Sequence, residues 1–534
     1  MHFMGRQYRW LRYQWAYHSR RILFITVVLL VILAAAGGEF IIYGKYVASH
    51  TPPRDANWIC QHAAEAAQPS VAENSCPGTT DWQIDHPLGE QNAIEGFTVP
   101  ASVNLGEKVA LYVSTTAASY QFQVYRMGWY QGLGGHLVYS SPKLTGIKQP
   151  APRVDPETNM VSCTNWQKPV TVDVPTSWVS GIYIIKLLSS DGFMRYTSFV
   201  VRNDTSHATI LFQSSVITYQ AYNTWGGSDL YRGLNDQQQL VPESRSYAVS
   251  FDRPIDIRNG LGDFVEYSEL SLLRWLERSG YDVSYSTDVD TDIRGNLLQQ
   301  HRLYLAAGHD EYWSTAMRAQ VMQARSQGVS LAFFGANDIY WHIVLQDSAF
   351  GRDRKIICYK TSYYAGSKPD PFALTNPQES GVRWRDPPLN EPEGLVLGQM
   401  YGGALDGANV PLVIDKAASK FLAGTSLHAG SALPGLIGGE YDRVSDTVVP
   451  RQDVTVLASS PLQCAKTSLC PASGQDIANA ILYNFSSKAK VFDAGTFYWG
   501  WGLDDGVFDK KSPHQYSNPD FQKFTANILT YLIA

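Results

Sequence analysis

Three titratable side chains stand in consecutive positions at His309-Asp310-Glu311. Together they bring base, acid and metal-binding chemistry into one turn of chain. The apolar run Leu303–Ala307 before them reads as a short buried strand that stops at Gly308. Helical spacing begins near Ser314, an N-cap type followed by Met317, Val321 and Met322. Open α/β sheets bind ligands at the carboxyl ends of their strands, so this strand-to-helix corner is a candidate site. The competing reading has Asp310 and Glu311 capping the helix and complementing its dipole.

Two further polar clusters follow strands. One runs from Thr218 through Tyr222 to Tyr231; the other is Gly335-Ala-Asn-Asp-Ile-Tyr-Trp341. Switch-point geometry would bring both to the edge that carries His309. Tyrosine hydroxyls, a histidine, carboxylates and an asparagine make a set without an activated Ser or Cys. The corner at Gly308 has no cysteine and no G-x-S-x-G elbow is present, which disfavours cysteine amidotransferase and ordinary serine hydrolase chemistry.

The elements that must position these clusters read as α/β. Ala208–Gln213 predicts a strand, Glu266–Ser279 a helix, Gly280–Tyr285 a strand, Ala316–Gln327 a helix and Gly328–Phe334 a strand. A late strand over Ala489–Gly495 and a helix over Asp520–Leu532 follow. Alternation at this pace predicts a doubly wound parallel sheet over 204–534. Residues 94–203 instead carry short alternating runs such as Val109–Val113, Tyr120–Tyr125, Val170–Val174 and Gly181–Leu187, which predict a β-sandwich. Among them Tyr125-Arg-Met-Gly-Trp-Tyr-Gln-Gly-Leu-Gly-Gly135 reads as a docking or pocket-lining loop, or as a glycine-rich turn packed under Trp129.

The chain begins with a basic segment, 1–21, carrying five arginines and no acidic residue, then an apolar run predicting a transmembrane anchor over 22–43. The positive-inside rule leaves everything after Tyr43 outside the cytoplasm; a cleaved signal peptide ending near Ala34-Ala-Ala36 is the other reading. Residues 44–93 read as a tether with a stapled loop. Six cysteines lie in no CxxC or Cys/His metal spacing. Of fifteen possible connectivities, one pairs Cys60 with Cys76 and Cys464 with Cys470 in local loops, leaving Cys163 and Cys358 for a longer link. A net charge of −6, 44% hydrophobic and 17% charged residues describe a globular chain with no nucleic-acid footprint. The 14 Trp and 31 Tyr suit aromatic-lined pockets, as well as β cores.

An ordered series of motifs carries a resemblance. Tyr222-Asn223 with Trp225-Gly-Gly227, Ser250-Phe-Asp-Arg-Pro254, Arg274-Trp-Leu-Glu-Arg278 with Gly280-Tyr-Asp-Val283, Gly308-His-Asp-Glu-Tyr-Trp313 and Gly335-Ala-Asn337 resemble the large-subunit family of N,N-dimethylformamidase, and Tyr125–Tyr130 resembles its sandwich domain. The resemblance implies an amide hydrolase with a β-sandwich, a domain like class I glutamine amidotransferases, and a mononuclear iron held by two tyrosines and a glutamate. Carried over motif by motif, it implies Tyr222, Tyr231 and Glu311 as metal ligands, with Tyr219 as the nearest competitor. It implies His309, Asn337 and Lys360 as groups that line the site and orient water or substrate.

The expectation is therefore an iron-dependent hydrolase of amide C–N bonds in which water attacks the carbonyl and His309 moves the proton to the leaving amine. An exported, anchored chain would meet a small amide or an envelope-derived substrate rather than dimethylformamide, and a homo-oligomer is compatible with it. The second class of function is a membrane-tethered extracytoplasmic binding or assembly protein on the same scaffold.

Overall fold

The computed structural model describes residues 56–84, 93–256, 264, 269–364, 366–445, 454–506 and 515–534. The basic segment 1–21 and the anchor expected over 22–43 lie outside the described residues. Among the described residues no helix is long and apolar enough to cross a membrane. The chain divides into Met1–Trp58 and Ile59–Ala534, and the elements that follow belong to the second unit.

Between 94 and 202 the extended runs are short, and only some alternate buried with more exposed side chains, as Lys108–Thr115 does at its start, while Gly181–Ser189 is buried almost throughout. Ile94–Val99, Lys108–Thr115 and Val170–Asp173 form an antiparallel three-stranded sheet. Ser119–Met127, Gly181–Ser189 and Met194–Arg202 lie within a six-stranded one. Val109, Leu111 and Val113 of the first share one core with Phe122, Val124, Ile185 and Leu187 of the second.

The stretch 125–135 docks this region onto the rest of the chain. Arg126 forks onto Glu277, with Nη2 2.7 Å from Oε1 and Nη1 3.2 Å from Oε2, and Tyr130 donates to Glu73 at 3.0 Å. The turn packs around Tyr130, which is buried, while Trp129 is half-exposed.

Beyond 203, a seven-stranded sheet contains β1 (Ile210–Ser214), β2 (Val283–Thr287), β3 (Leu303–Gly308), β4 (Ser330–Gly335), β5 (Val454–Gln463), β6 (Gln475–Asn484) and β7 (Lys490–Asp493). Its order is β2-β1-β3-β4-β7-β6-β5. β1 to β4 and β7 are parallel, and β6 is antiparallel to both neighbours. Helices α1 (Val216–Ala221), α2 (Glu269–Arg278), α3 (Asp288–Ile293), α4 (Thr315–Ser326) and α5 (Pro519–Ile533) accompany it.

The expectation of a doubly wound, class I glutamine amidotransferase-like α/β domain over 204–534 is overturned. Among the described residues, 28 strands fall into eight sheets and strand outweighs helix. The alternation read over 208–334 does not continue. Between β4 and β7 the chain makes antiparallel ribbons, Trp341–Ser348 with Gly351–Ile357, Met400–Ala404 with Glu440–Arg443 and Val410–Val413 with Ala432–Ile437, instead of crossover helices. That stretch is cut by Gly and Pro into short extended runs too brief for helical periodicity, and hairpin pairing satisfies their backbone.

Cys60–Cys76 and Cys464–Cys470 are disulfides. The longer link is not made: Cys163 and Cys358 are free and buried.

Candidate functional site

The corner is built by two bare backbones. Gly308 ends β3 at φ +78°, a left-handed conformation that side chains disfavour. It pairs with Gly335 on β4, where an added Cβ would fall 2.4 Å from the Gly308 carbonyl. His309, Asp310 and Glu311 leave the sheet there. Tyr312–Ser314 then forms a short strand parallel to Trp341–Ser348 before α4 begins.

Ser314 caps α4, its hydroxyl accepting from the Met317 amide at 3.0 Å. The acids do not. Asp310 accepts from Gln213 at 2.7 Å, and burial raises its pKa to about 7. Glu311 faces the tyrosines.

Helix α1 is only six residues long, and the loop after it returns on itself: Leu230 N bonds Ala221 O at 3.0 Å. Asp229 Oδ1 accepts from the amides of Tyr231 and Arg232, each at 2.7 Å. The rings of Tyr222 and Tyr231 stack with centroids 4.7 Å apart. Their hydroxyls then reach the two oxygens of one carboxylate: Tyr222 donates to Glu311 Oε2 at 2.8 Å and Tyr231 to Oε1 at 2.5 Å. Burial, and then the Glu311 charge, raise both phenols well above their usual pKa. Tyr219 points elsewhere, its hydroxyl on Glu269 and 3.1 Å from Ser214.

Of the other expected residues, His309 and Asn337 reach the same carboxylate, and Lys360 reaches the aromatic rings beside it. His309 Nε2 lies 3.5 Å from Glu311 Oε2 and 3.4 Å from Glu440 Oε2, and burial lowers its pKa to about 4. Asn337 Nδ2 donates to Glu311 Oε1 at 3.2 Å and to Glu440 Oε2 at 2.8 Å. Lys360 Nζ donates to Tyr312 at 2.7 Å and lies 3.1 Å from the Tyr231 ring centroid. Burial brings the Lys360 pKa down to about 7. Asn337, Ile339 and Lys360 hold φ of +57°, +55° and +53°, so left-handed backbone gathers around the site.

Sequence reasoning missed Glu440 and the residues that aim it. Tyr401 donates to its Oε1 at 3.0 Å, and burial followed by the Glu311 charge raises its pKa to about 8. Trp341 Nε1, inside a cluster that the sequence did single out, donates to the Tyr231 hydroxyl at 3.2 Å. The available signal was Gly438-Gly-Glu-Tyr-Asp442, two glycines leading into paired acids at a strand start.

Two phenol oxygens, one on each oxygen of a single carboxylate, form a hard-oxygen donor set that fits a ferric ion. The buried side-chain oxygen Oδ1 of Asn337, which has no hydrogen-bond partner among the described residues, adds a further oxygen nearby. Among the described residues, the group of His, Cys, Asp or Glu close enough to share an ion is Cys60, Cys76 and His136. Its two sulfurs are already joined. A metal at Glu311 therefore depends on the tyrosines.

Fold and cluster together define a class of protein: a β-rich chain with a carboxylate bridged by two phenols where a parallel strand ends. The chain belongs to the N,N-dimethylformamidase beta subunit-like, C-terminal family, whose sequence profile matches residues 121–517. It is 24% identical over 210 residues to the N,N-dimethylformamidase beta subunit of Alcaligenes sp. It is 25% identical over 211 residues to that of Paracoccus aminophilus. Each match covers 33% of this chain and 28% of the relative, so the chain matches well under half the length of these relatives. Among solved structures, the mmIFT52 N-terminal domain aligns with 48% of this chain and 86% of its own at 12% identity. Its TM-score is 0.22, too low to carry an argument.

Proposed function

We propose that this chain hydrolyses the C–N bond of small amides at the Glu311 cluster, with Tyr222, Tyr231 and Glu311 holding one iron ion. The observation that carries the reading is that both phenol hydroxyls sit on the two oxygens of one buried carboxylate. Family membership supplies the amide chemistry. Bound by these hard oxygens, iron supplies Lewis-acid polarisation of the carbonyl and acidifies water.

The chain's own groups do the rest. His309 is neutral at pH 7, because burial holds its pKa near 4, so it takes the proton from the attacking water and delivers it to the leaving amine. The Glu311 carboxylate, 3.5 Å away, favours the imidazolium formed in between. The Asn337 amide fixes both carboxylates, and its unpartnered oxygen accepts the substrate N–H. Lys360 lies over the Tyr231 ring and, in its protonated form below a pKa of about 7, favours negative charge on that phenol oxygen. Glu311 and Asn337 are 1% and 2% exposed, which excludes bulk water and favours a small substrate.

The proposal includes an extracytoplasmic location behind the anchor expected over 22–43. Two disulfides support it, since such cross-links persist outside the reducing cytoplasm. It also includes assembly with further subunits or copies, as the relatives are named as subunits.

The test is iron content and the visible spectrum of the full chain, with turnover of a panel of small amides. The expected result is near one equivalent of iron with a tyrosinate-to-iron band, both lost with turnover in Glu311→Ala. A folded, colourless protein that stays empty when iron is offered would overturn this reading. It would favour a binding scaffold in which the tyrosines and Glu311 satisfy one another as buried polar groups.

A further inference from the structure

The Ser250-Phe-Asp-Arg-Pro254 motif takes no part in the chemistry above, yet its arginine is bound to the loop that carries both tyrosines. Arg253 is 1% exposed. Its Nη1 donates to the carbonyls of Trp225 at 3.1 Å and Ser228 at 2.9 Å, and its Nη2 to that of Gln220 at 3.1 Å. These three carbonyls bracket the turn between Tyr222 and Tyr231.

The same segment grips the loop from its other side. Asn223 donates to Pro254 O at 2.9 Å and accepts from Asp256 N at 2.9 Å, and Thr224 donates to the Asp256 carboxylate at 2.7 Å. Among the described residues Arg253 forms no ion pair; burial lowers its pKa to about 10, and the nearby Asp229 charge offsets part of that. What Arg253 gains is one rigid planar fork across three carbonyls, which a lysine's single point charge cannot reproduce.

We propose that Arg253 is the positioning residue of the tyrosine pair: it clamps the 220–228 loop in the one shape that sets both phenol hydroxyls on Glu311. It touches neither Glu311 nor either hydroxyl and acts through backbone alone. This inference rests on the proposed tyrosine–glutamate iron site for its consequence, while the clamp itself is read from hydrogen bonds.

The experiment pairs two measurements on the full chain and on Arg253→Met, Arg253→Lys and Asn223→Ala. The first is hydrogen exchange of the metal-free protein over 220–231 against the rest of the chain. The second is a titration with ferric ion alone, followed by the visible band. The clamp predicts faster exchange confined to 220–231 in Arg253→Met and partial recovery in Arg253→Lys. It also predicts iron binding weakened by about 10- to 100-fold with a shifted band. Unchanged exchange in Arg253→Met, or acceleration spread evenly over the chain, overturns it. If wild type binds no iron, the iron-site reading fails and exchange alone decides the clamp. If wild type binds and Arg253→Met matches it in affinity and band, the positioning role fails and the iron site stands. Should Arg253→Met not fold, Arg253→Lys and Asn223→Ala carry the same comparison.

Discussion

Lys360 Nζ lies 3.1 Å from the centroid of the Tyr231 ring, so an amine that is a cation below its pKa of about 7 faces the π-surface of a phenol whose hydroxyl is bonded to Glu311. The field of that cation favours the ionised phenol. Lys360→Met is expected to shift the tyrosinate-to-iron band and to lower amide turnover by about tenfold or more, with the protein still folded. A visible spectrum of the iron-loaded variant checks it, and an unmoved band would remove Lys360 from the site.

Tyr219 and Tyr222 are three residues apart and bond to different acids, Glu269 and Glu311. Tyr222→Phe is therefore expected to weaken iron binding by about 10-fold or more, while Tyr219→Phe leaves it within about twofold. Iron content of the two variants side by side decides which tyrosine belongs to the cluster.

His342 is fully buried, with Nδ1 donating to Ser380 O at 2.8 Å and Nε2 within 2.9 Å of the Thr315 hydroxyl. Burial lowers its pKa to about 4. Between pH 6.5 and 4 the unfolded chain binds the proton that the folded one refuses, so stability falls as pH drops through that window. The loss is about 2–3 kcal/mol. Chemical denaturation of His342→Gln at pH 7 and pH 4 is expected to show a shallower acid loss than wild type.

The Arg126–Glu277 pair has both side chains fully buried. Arg126→Met leaves the Glu277 carboxylate without its partner and is expected to cost about 3–5 kcal/mol in urea unfolding. Replacing both residues by apolar ones of similar size is expected to recover much of that loss, which would identify the unpaired charge as the cause.

Removing the Cys60–Cys76 link by a double Ala substitution frees a loop with a sequence separation of 16. The expected loss is about 3 kcal/mol from loop entropy. It is read as a lower Tm, and an unchanged Tm would mean that Glu73 and Asn74 hold this segment by themselves.

The local features were legible because short-range rules decide them. Gly308 ending a strand, Ser314 capping a helix and the two small disulfide loops all depend on neighbours within a few positions or on residue type. The ordered motifs identified the family for a related reason: each keeps a turn or a contact that few residue types satisfy. Tertiary structure decided the rest. Asn337 and Glu440 meet across 103 positions, and Arg126 and Glu277 across 151. No periodicity encodes such meetings, because they arise where separately folded segments bury against each other. The fold class failed as an expectation for the same reason. A regular strand–helix rhythm over 208–334 said nothing of the extended runs that follow, whose backbone found partners in antiparallel ribbons. Residue chemistry was written locally; which acid faces which phenol was settled only when distant strands packed and buried them together.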